Sequence, residues 1–303
     1  MMGRASKRML AIPPILTFVG LIAAWQVFVM VFKPAPYVLP SPVMVGEAVV
    51  DNFSTLVSHF MTTAVEFWFG FLLGTIVGLV LAVFMTVMPG LRSSVYPLVV
   101  ASQTIPKIAI APLLILWFGI GTLPKIGIVA LLAFFPVLIN TITGFDNTNR
   151  KLLDLMRTVS ATPAQVYLHV RIPAAIPNIF AGMKLALTVS VIGAVVAEWV
   201  GAQRGLGYLL ILYNSSMRTA ELFAVLVFIV AMAATTFLAL LAIERNFSWA
   251  ARTSQPTVTA KADDGKRGRS RRQRQTHRAD SGGAAPLLDR DSMVTGGAGV
   301  QGR

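Results

Sequence analysis

The sequence predicts an all-α membrane protein with about six transmembrane helices, and three observations lead to this fold class. Hydrophobic residues make up 55% of the 303 residues and charged residues only 13%, which is more apolar than a soluble globular domain. Six stretches are long and apolar enough to cross a hydrocarbon core, which takes roughly 20 residues per helix. The Lys and Arg residues concentrate in alternate connecting segments, as in a chain that crosses a bilayer repeatedly.

The first apolar stretch, residues 9–32, follows the basic residues Arg4, Lys7 and Arg8. This order is typical of a secretory signal, but the stretch is longer than the roughly 7–15 residues of a signal core. It also lacks a small-residue cleavage site after it. We therefore expect an uncleaved first span, preceded by a short N-terminus at residues 1–8.

The other apolar stretches predict five further spans, at 64–88, 95–118, 124–145, 177–200 and 221–243. Six crossings place both termini on the same side of the membrane. The N-terminus, the 146–176 loop and the C-terminal tail carry most of the Lys and Arg residues. The positive-inside rule therefore predicts that both termini and this loop are cytoplasmic.

The second predicted span contains Gly70, Gly74 and Gly78, which recur at every fourth position. One face of the helix then carries no side chains, so a neighbouring helix can approach closely. Packing within the subunit is the preferred interpretation, and a subunit interface is the alternative.

The third predicted span contains Pro106 and Pro112. A proline removes a backbone donor and clashes with the preceding turn, so this helix should be kinked or broken. A broken helix at membrane depth is tolerated where it is buried or lines a cavity. The break predicts either a path through the protein or an ordinary packing kink.

The 146–176 loop has a regular pattern of apolar residues and helix signals, which a simple connecting loop does not need. Leu152, Leu155, Met156 and Val159 are spaced for one face of a short helix. Thr162 then precedes Pro163 as an N-cap precedes a first helical residue, and Pro173 and Pro177 are expected to end this second helix. We expect a pair of short helices that presents an apolar knob to a cytoplasmic partner.

The tail at 251–303 is rich in Gly, Ser, Asp, Arg and Gln and holds a large share of the basic residues behind the net charge of +13. Such a segment cannot bury a core, so we expect it to be disordered. It lacks the interleaved aromatic residues of a nucleic-acid site, and contact with anionic membrane lipids is the expected use.

The loop resembles the signature of the permease subunits of binding-protein-dependent ABC importers. That signature reads Glu-Ala-Ala, three residues, Gly, nine residues, Ile-x-Leu-Pro. Its positions fall here on Asp154, Leu155, Met156, Ser160, Val170, Ile172 and Pro173. Ser in place of Gly removes the residue that turns the chain most easily.

The resemblance covers roughly residues 38–245 and includes LPSPVMV at 39–45, GFLLG at 70–74 and AEWVGAQRGLGYLL at 197–210. These stretches are similar to permeases of the nitrate, sulfonate and taurine importer group. Glu66 ahead of GFLLG and SQTIPK at 102–107 are most similar to members that handle thiamine-pyrimidine precursors or riboflavin.

The resemblance implies a type I ABC importer permease fold with a cytoplasmic coupling helix, in the inner membrane. It also implies a second permease copy as a homodimer, a cytoplasmic ATP-binding subunit and an external substrate-binding protein. The chain has no GxxxxGK[ST] phosphate loop, so the ATPase is expected to be a separate subunit.

Ionisable groups at membrane depth are functional candidates. Lys107 follows Pro106 in the middle of its span and is expected either to line a path, facing an anionic solute or Glu66, or to form a structural ion pair. Lys184 is expected to extend to the cytoplasmic interface. Glu198 precedes the glycines of GLGYL at 205–209 and is assigned to anchoring or to gating. GLGYL itself is interpreted as a turn or as a contact for the binding protein.

Two other function classes fit a six-span bundle. A secondary transporter or channel, driven without ATP, would have no use for the patterned loop. An enzyme would need a catalytic cluster, but His59, His169 and His277 lie in different regions of a chain that has no cysteine. We expect no catalytic site, no metal site and no cofactor.

Overall fold

The computed structural model describes residues 14–252 and the side chains of residues 16–247. The predictions for residues 1–8 and for nearly all of the tail lie outside the described residues. Within residues 14–252 every regular element is helical. The helices are α1 Pro14–Phe32, α2 Pro42–Asp51, α3 Phe53–Val87, α4 Pro89–Ser102, α5 Ala111–Phe118, α6 Thr122–Asp146, α7 Arg150–Thr158, α8 Pro163–Val166, α9 Ile172–Trp199, α10 Leu206–Ser215 and α11 Thr219–Arg252.

Four helical segments of the described part are long and apolar enough to cross a membrane. They are Phe53–Val87, Thr122–Asp146, Pro163–Trp199 and Thr219–Phe247. The pair Pro89–Ser102 and Lys107–Phe118 makes a fifth span if it is counted as one bent helix. Helix α1 lies inside the predicted first span and is shorter, so six crossings stay a prediction.

The core of the bundle consists of α3, α6 and α9, and glycines set their separation. A side chain at Gly70 would overlap Val129, and one at Gly74 or Gly78 would overlap the backbone carbonyl oxygens of Ala130 or Phe134. The three glycines therefore let α3 contact the backbone of α6 directly. The preferred interpretation, packing within the subunit, is confirmed.

The predicted break in the third span is present. The chain leaves α4 after Ser102, bends by 89° and continues through a 3₁₀ turn, Lys107–Ile110, into α5. Pro106 has an extended backbone at this bend. Pro112 lies in the first turn of α5, where a missing N–H is not needed, so the bend belongs to Pro106 and not to both prolines.

The prediction that Pro173 and Pro177 end the second loop helix is wrong. The segment Pro163–Trp199 is one continuous span in which Tyr167–Arg171 forms a π-helical turn. Pro173 lies in the first turn of α9, directly after this wider turn. The π-helical turn accommodates Pro173 within a continuous helix. Both π-turns and prolines are common where helices bend.

Two of the segments that connect the predicted spans, 33–63 and 201–220, are largely helical. Segment 33–63 contains α2, which Ser41 caps through its side chain, and α3 begins at Phe53 rather than at 64. Segment 201–220 contains α10, so the simple turn predicted around GLGYL is wrong. Buried residues of α10 such as Leu206 and Leu209 pack on Leu56, and this burial stabilises a helix in place of a loop.

Candidate functional site

Helices α3 and α6 carry an ion pair in the interior of the bundle. Lys125 Nζ lies 2.6 Å from Glu66 Oε1, and the Glu66 side chain is fully buried. A buried charge is tolerated only when it is paired and hydrogen-bonded. The pair therefore explains how Glu66 can occupy an apolar helix.

Lys107 is not the partner of Glu66. Its ammonium donates to the carbonyl oxygen of Gln103 at 3.2 Å and lies 4.6 Å from the centre of the Phe135 ring. Lys107 therefore caps the C-terminal end of α4, next to Pro106, because its ammonium donates to the Gln103 carbonyl, which has no helical partner. Sequence reasoning missed Lys125 because it lies at the edge of a predicted span, where a lysine is unremarkable.

Lys184, which the sequence predicts to extend to the cytoplasmic interface, pairs with Glu244 of α11 at 2.6 Å. Both side chains are partly exposed, so screening by solvent limits the contribution of this pair to stability.

Glu198 is an anchor between three helices. Its Oε1 accepts a hydrogen bond from Thr63 Oγ1 at 2.7 Å, and its Oε2 accepts one from the backbone N–H of Gly207. Thr63 in turn accepts from the N–H of Leu206 at 2.8 Å. Glu198 and Thr63 therefore each accept from one backbone N–H at the start of α10, a place where a carboxylate is favourable. These contacts favour anchoring over gating.

The glycines at the start of α10 make room for this carboxylate. A Cβ at Gly205 or Gly207 would overlap the Glu198 side chain, and Gly205 has a φ of +118°, which favours glycine. His59 Nδ1 contacts the backbone of Gly205 at about 3 Å. Sequence reasoning set His59 aside because its partner lies 146 positions away.

The second candidate site is the loop between α6 and α9, here called the 150–172 hairpin. Helix α7 ends at Thr158, and two backbone bonds close its end, from Ala161 to Met156 and from Ser160 to Arg157. This pattern is a Schellman motif. Thr162 and Gln165 then form a reciprocal capping box ahead of α8.

The predicted signature residues divide into two groups along the hairpin. Asp154 and Leu155 are exposed on α7, where Asp154 pairs with Arg157, and Met156 is half-buried. Val170 and Pro173 are half-buried, and Ile172 packs against the apolar core. The hairpin is therefore fixed to the bundle through Ile172, while the apolar side chains of Leu155, Val159 and Leu168 are each about 60% exposed.

Ser160 occupies the left-handed position of the Schellman motif, with a φ of +52°, which is unfavourable for a side chain by about 1 kcal/mol. Ser160→Gly is expected to stabilise the hairpin by about that amount. Hydrogen exchange of the amides in 150–172 measures the change, with slower exchange expected. Thr158→Gly, in the last turn of α7, is the control and should speed exchange. Faster exchange in both variants would contradict the turn geometry described here.

Within the described residues, no three His, Asp or Glu side chains are grouped to hold a metal ion. The polar cluster at Glu66 and Glu198 instead combines one ion pair with hydrogen bonds from a threonine hydroxyl and a backbone N–H group.

Comparison with known proteins gives a consistent set of relatives. Residues 70–248 match the family described as binding-protein-dependent transport system inner membrane component. A probable ABC transporter permease protein of Haemophilus influenzae is 36% identical over 78% of this chain and 96% of its own length. The formylaminopyrimidine transport permease protein ThiX of Halalkalibacterium halodurans is 37% identical over 65% of this chain and 79% of its own.

The helical arrangement also matches a solved structure. The crystal structure of an amino acid ABC transporter with histidines superposes with a TM-score of 0.52, covering 66% of this chain and 95% of that chain. At 17% identity this match shows the shared fold and nothing finer.

Proposed function

The chain belongs to the family of binding-protein-dependent transport system inner membrane components, and we propose that two copies of it form the path by which a small solute enters the cell. The chain is a permease subunit of an ABC importer, as its relatives are, and is a transport subunit rather than an enzyme. The predicted alternative, a transporter driven without ATP, is not favoured.

The family implies an ATP-binding subunit and a substrate-binding protein as partners. The 150–172 hairpin is the part of this chain that would contact the ATP-binding subunit. The single observation that carries this assignment is the exposed apolar side chains of Leu155, Val159 and Leu168 on a hairpin fixed to the core through Ile172. Large apolar side chains exposed on a charged helix are typical of a protein interface.

The proposed topology has six crossings in the inner membrane with both termini on the cytoplasmic side. Its support is the distribution of Lys and Arg, which favours a cytoplasmic position for the 150–172 hairpin. The polar cluster of Glu66, Lys125 and Glu198 would then lie toward the external side. A second copy of this chain and membrane lipids would cover the large apolar side chains that remain exposed, such as Leu72, Val80 and Leu116.

The proposed solute class is a small aminopyrimidine. Its support is the similarity to the formylaminopyrimidine transport permease, together with Glu66 and the SQTIPK stretch.

Uptake into proteoliposomes tests the proposed function. The permease and its ATP-binding subunit are reconstituted, and the co-encoded binding protein and labelled formylaminopyrimidine are added outside. Accumulation is expected only when ATP, the ATP-binding subunit and the binding protein are all present. Accumulation without the ATP-binding subunit would contradict the proposal.

A further inference from the structure

A cavity of about 250 Å³ lies at the base of the 150–172 hairpin, beside the end of α3, the start of α4 and the end of α6. Its charged lining consists of three arginines, Arg92, Arg150 and Arg171, and one acidic residue, Asp146. This volume is smaller than the roughly 300–1,000 Å³ of a typical small-molecule site. The cavity therefore suits one compact anionic group rather than a whole solute molecule.

One of the three guanidinium groups has a counter-charge among the described residues. Arg92 donates to both carboxylate oxygens of Asp146, at 2.7 and 2.6 Å. Arg171 donates to the hydroxyl of Tyr167 at 3.0 Å and lies over its ring, which fixes this guanidinium without neutralising it. Arg150 is exposed and makes no hydrogen bond or ion pair with the part of the chain that the structure describes. Three guanidinium groups and one carboxylate leave the cavity with an excess of two positive charges.

The donors around the cavity match the oxygens of a phosphate group. Guanidinium groups are planar and present several N–H donors, so arginines bind phosphate in well-defined geometries. The three arginines belong to the first turn of α4, the first residue of α7 and the π-helical turn, and only the fold brings them together. Pro89, the first residue of α4, also lines the cavity, and no side chain caps this helix. An uncapped helix N-terminus adds to the preference for an anion.

The surface next to the cavity is apolar. Phe84, Val87 and Met88, at the end of α3, are each more than half exposed and lie next in sequence to the lining residues Thr86 and Pro89. A cationic cavity bordered by exposed apolar side chains matches a phospholipid, because one molecule supplies both the phosphate group and the acyl chains. Basic pockets between membrane helices on the cytoplasmic side bind anionic headgroups in this way.

We propose that this cavity binds the phosphate group of an anionic phospholipid of the cytoplasmic leaflet, with Arg150 and Arg171 as the main donors. Asp146 holds Arg92 beside them and acts as a positioning residue. The choice of leaflet rests on the proposed function, whose topology puts the hairpin in the cytoplasm. The bound headgroup would fasten the base of the hairpin to the end of α3, since the cavity is lined by both. A free phosphate ion offers the same chemistry, so the experiment separates the two sources.

Arg150→Gln tests the site, with Lys151→Gln as its matched control. Both variants remove one positive charge from neighbouring exposed residues of α7, but Lys151 is not among the residues that line the cavity. Thr86→Trp is a second variant, which fills the cavity and leaves every arginine in place. The full-length permease is purified with its ATP-binding subunit and titrated with phosphatidylglycerol, phosphatidylcholine or inorganic phosphate. Native mass spectrometry measures the bound lipid, and titration calorimetry measures bound phosphate.

Phosphatidylglycerol is expected to bind the unaltered complex and the Lys151→Gln variant equally well. Arg150→Gln should weaken this binding about tenfold, the effect of one hydrogen bond to a charged group, and Thr86→Trp should weaken it at least as much. Phosphatidylcholine and inorganic phosphate should bind the unaltered complex more weakly than phosphatidylglycerol does. The basic tail is the same in every variant, so it does not contribute to these differences.

Four results would overturn the proposal. Equal weakening in Arg150→Gln and Lys151→Gln would mean that the total charge of the hairpin decides binding. Unchanged lipid binding in Arg150→Gln or in Thr86→Trp would remove the cavity as the site. Tighter binding of inorganic phosphate than of phosphatidylglycerol would assign the cavity to a soluble phosphate. Loss of the ATP-binding subunit from Arg150→Gln, with lipid binding kept, would assign the arginines to an acidic surface of that subunit.

The proposed function and this site fail in different experiments. None of the binding measurements uses uptake, so an importer that accumulates no formylaminopyrimidine would contradict the proposed solute and leave the lipid site standing. Lipid binding that ignores Arg150 and Thr86 would remove the site and leave the proposed function standing.

Discussion

Lys125→Met is expected to lower the free energy of unfolding of the permease by about 3–5 kcal/mol, because it leaves the Glu66 carboxylate buried without a counter-charge. The two groups lie 2.6 Å apart and both side chains are buried, so solvent screens this pair little. The apolar surroundings of α3 add to the effect, since ionised side chains are unfavourable at membrane depth. Thermal unfolding of the purified protein in detergent, followed by intrinsic tryptophan fluorescence, measures the change.

The double variant Glu66→Met/Lys125→Met is the control for this prediction. Replacing a buried ion pair by apolar side chains of similar volume is often neutral or stabilising, so the double variant should recover most of the lost stability. A double variant as unstable as Lys125→Met would mean that Lys125 stabilises the bundle through packing rather than through Glu66.

Leu155→Glu is expected to reduce ATP-driven uptake more than tenfold while leaving the bundle folded. A buried apolar anchor contributes about 2 kcal/mol or more to an interface, whereas Leu155 is 58% exposed in the isolated chain and contributes little to folding. The measurement is uptake in proteoliposomes, together with the amount of ATP-binding subunit that copurifies with the permease.

Arg157→Glu is the matched control, because it introduces the same side chain two positions further, about 200° around the helix. It breaks the exposed pair with Asp154, which is worth little. If Arg157→Glu reduces copurification as much as Leu155→Glu does, charge on the hairpin decides docking, and the apolar face does not.

Features that depend only on residues close together in the sequence could be predicted from the sequence. The apolar stretches between residues 53 and 252 predicted five membrane segments, because the hydrophobic content of a helix is a property of its own residues. Thr162, Gln165 and Pro163 form the predicted helix start, since a cap and its target lie within one turn. The family signature could be found for the same reason, as its positions keep a fixed spacing along the chain.

Tertiary structure decided the features that join distant residues. The sequence alone determined that the chain crosses a membrane, belongs with importer permeases and carries a patterned loop between two of its membrane segments. It could not pair Glu66 with Lys125, which lies 59 positions away, nor Glu198 with Thr63, 135 positions away. Hydropathy and local spacing do not indicate which helices are neighbours. The arrangement of the helices follows from how the glycine faces of α3 and α6 pack together.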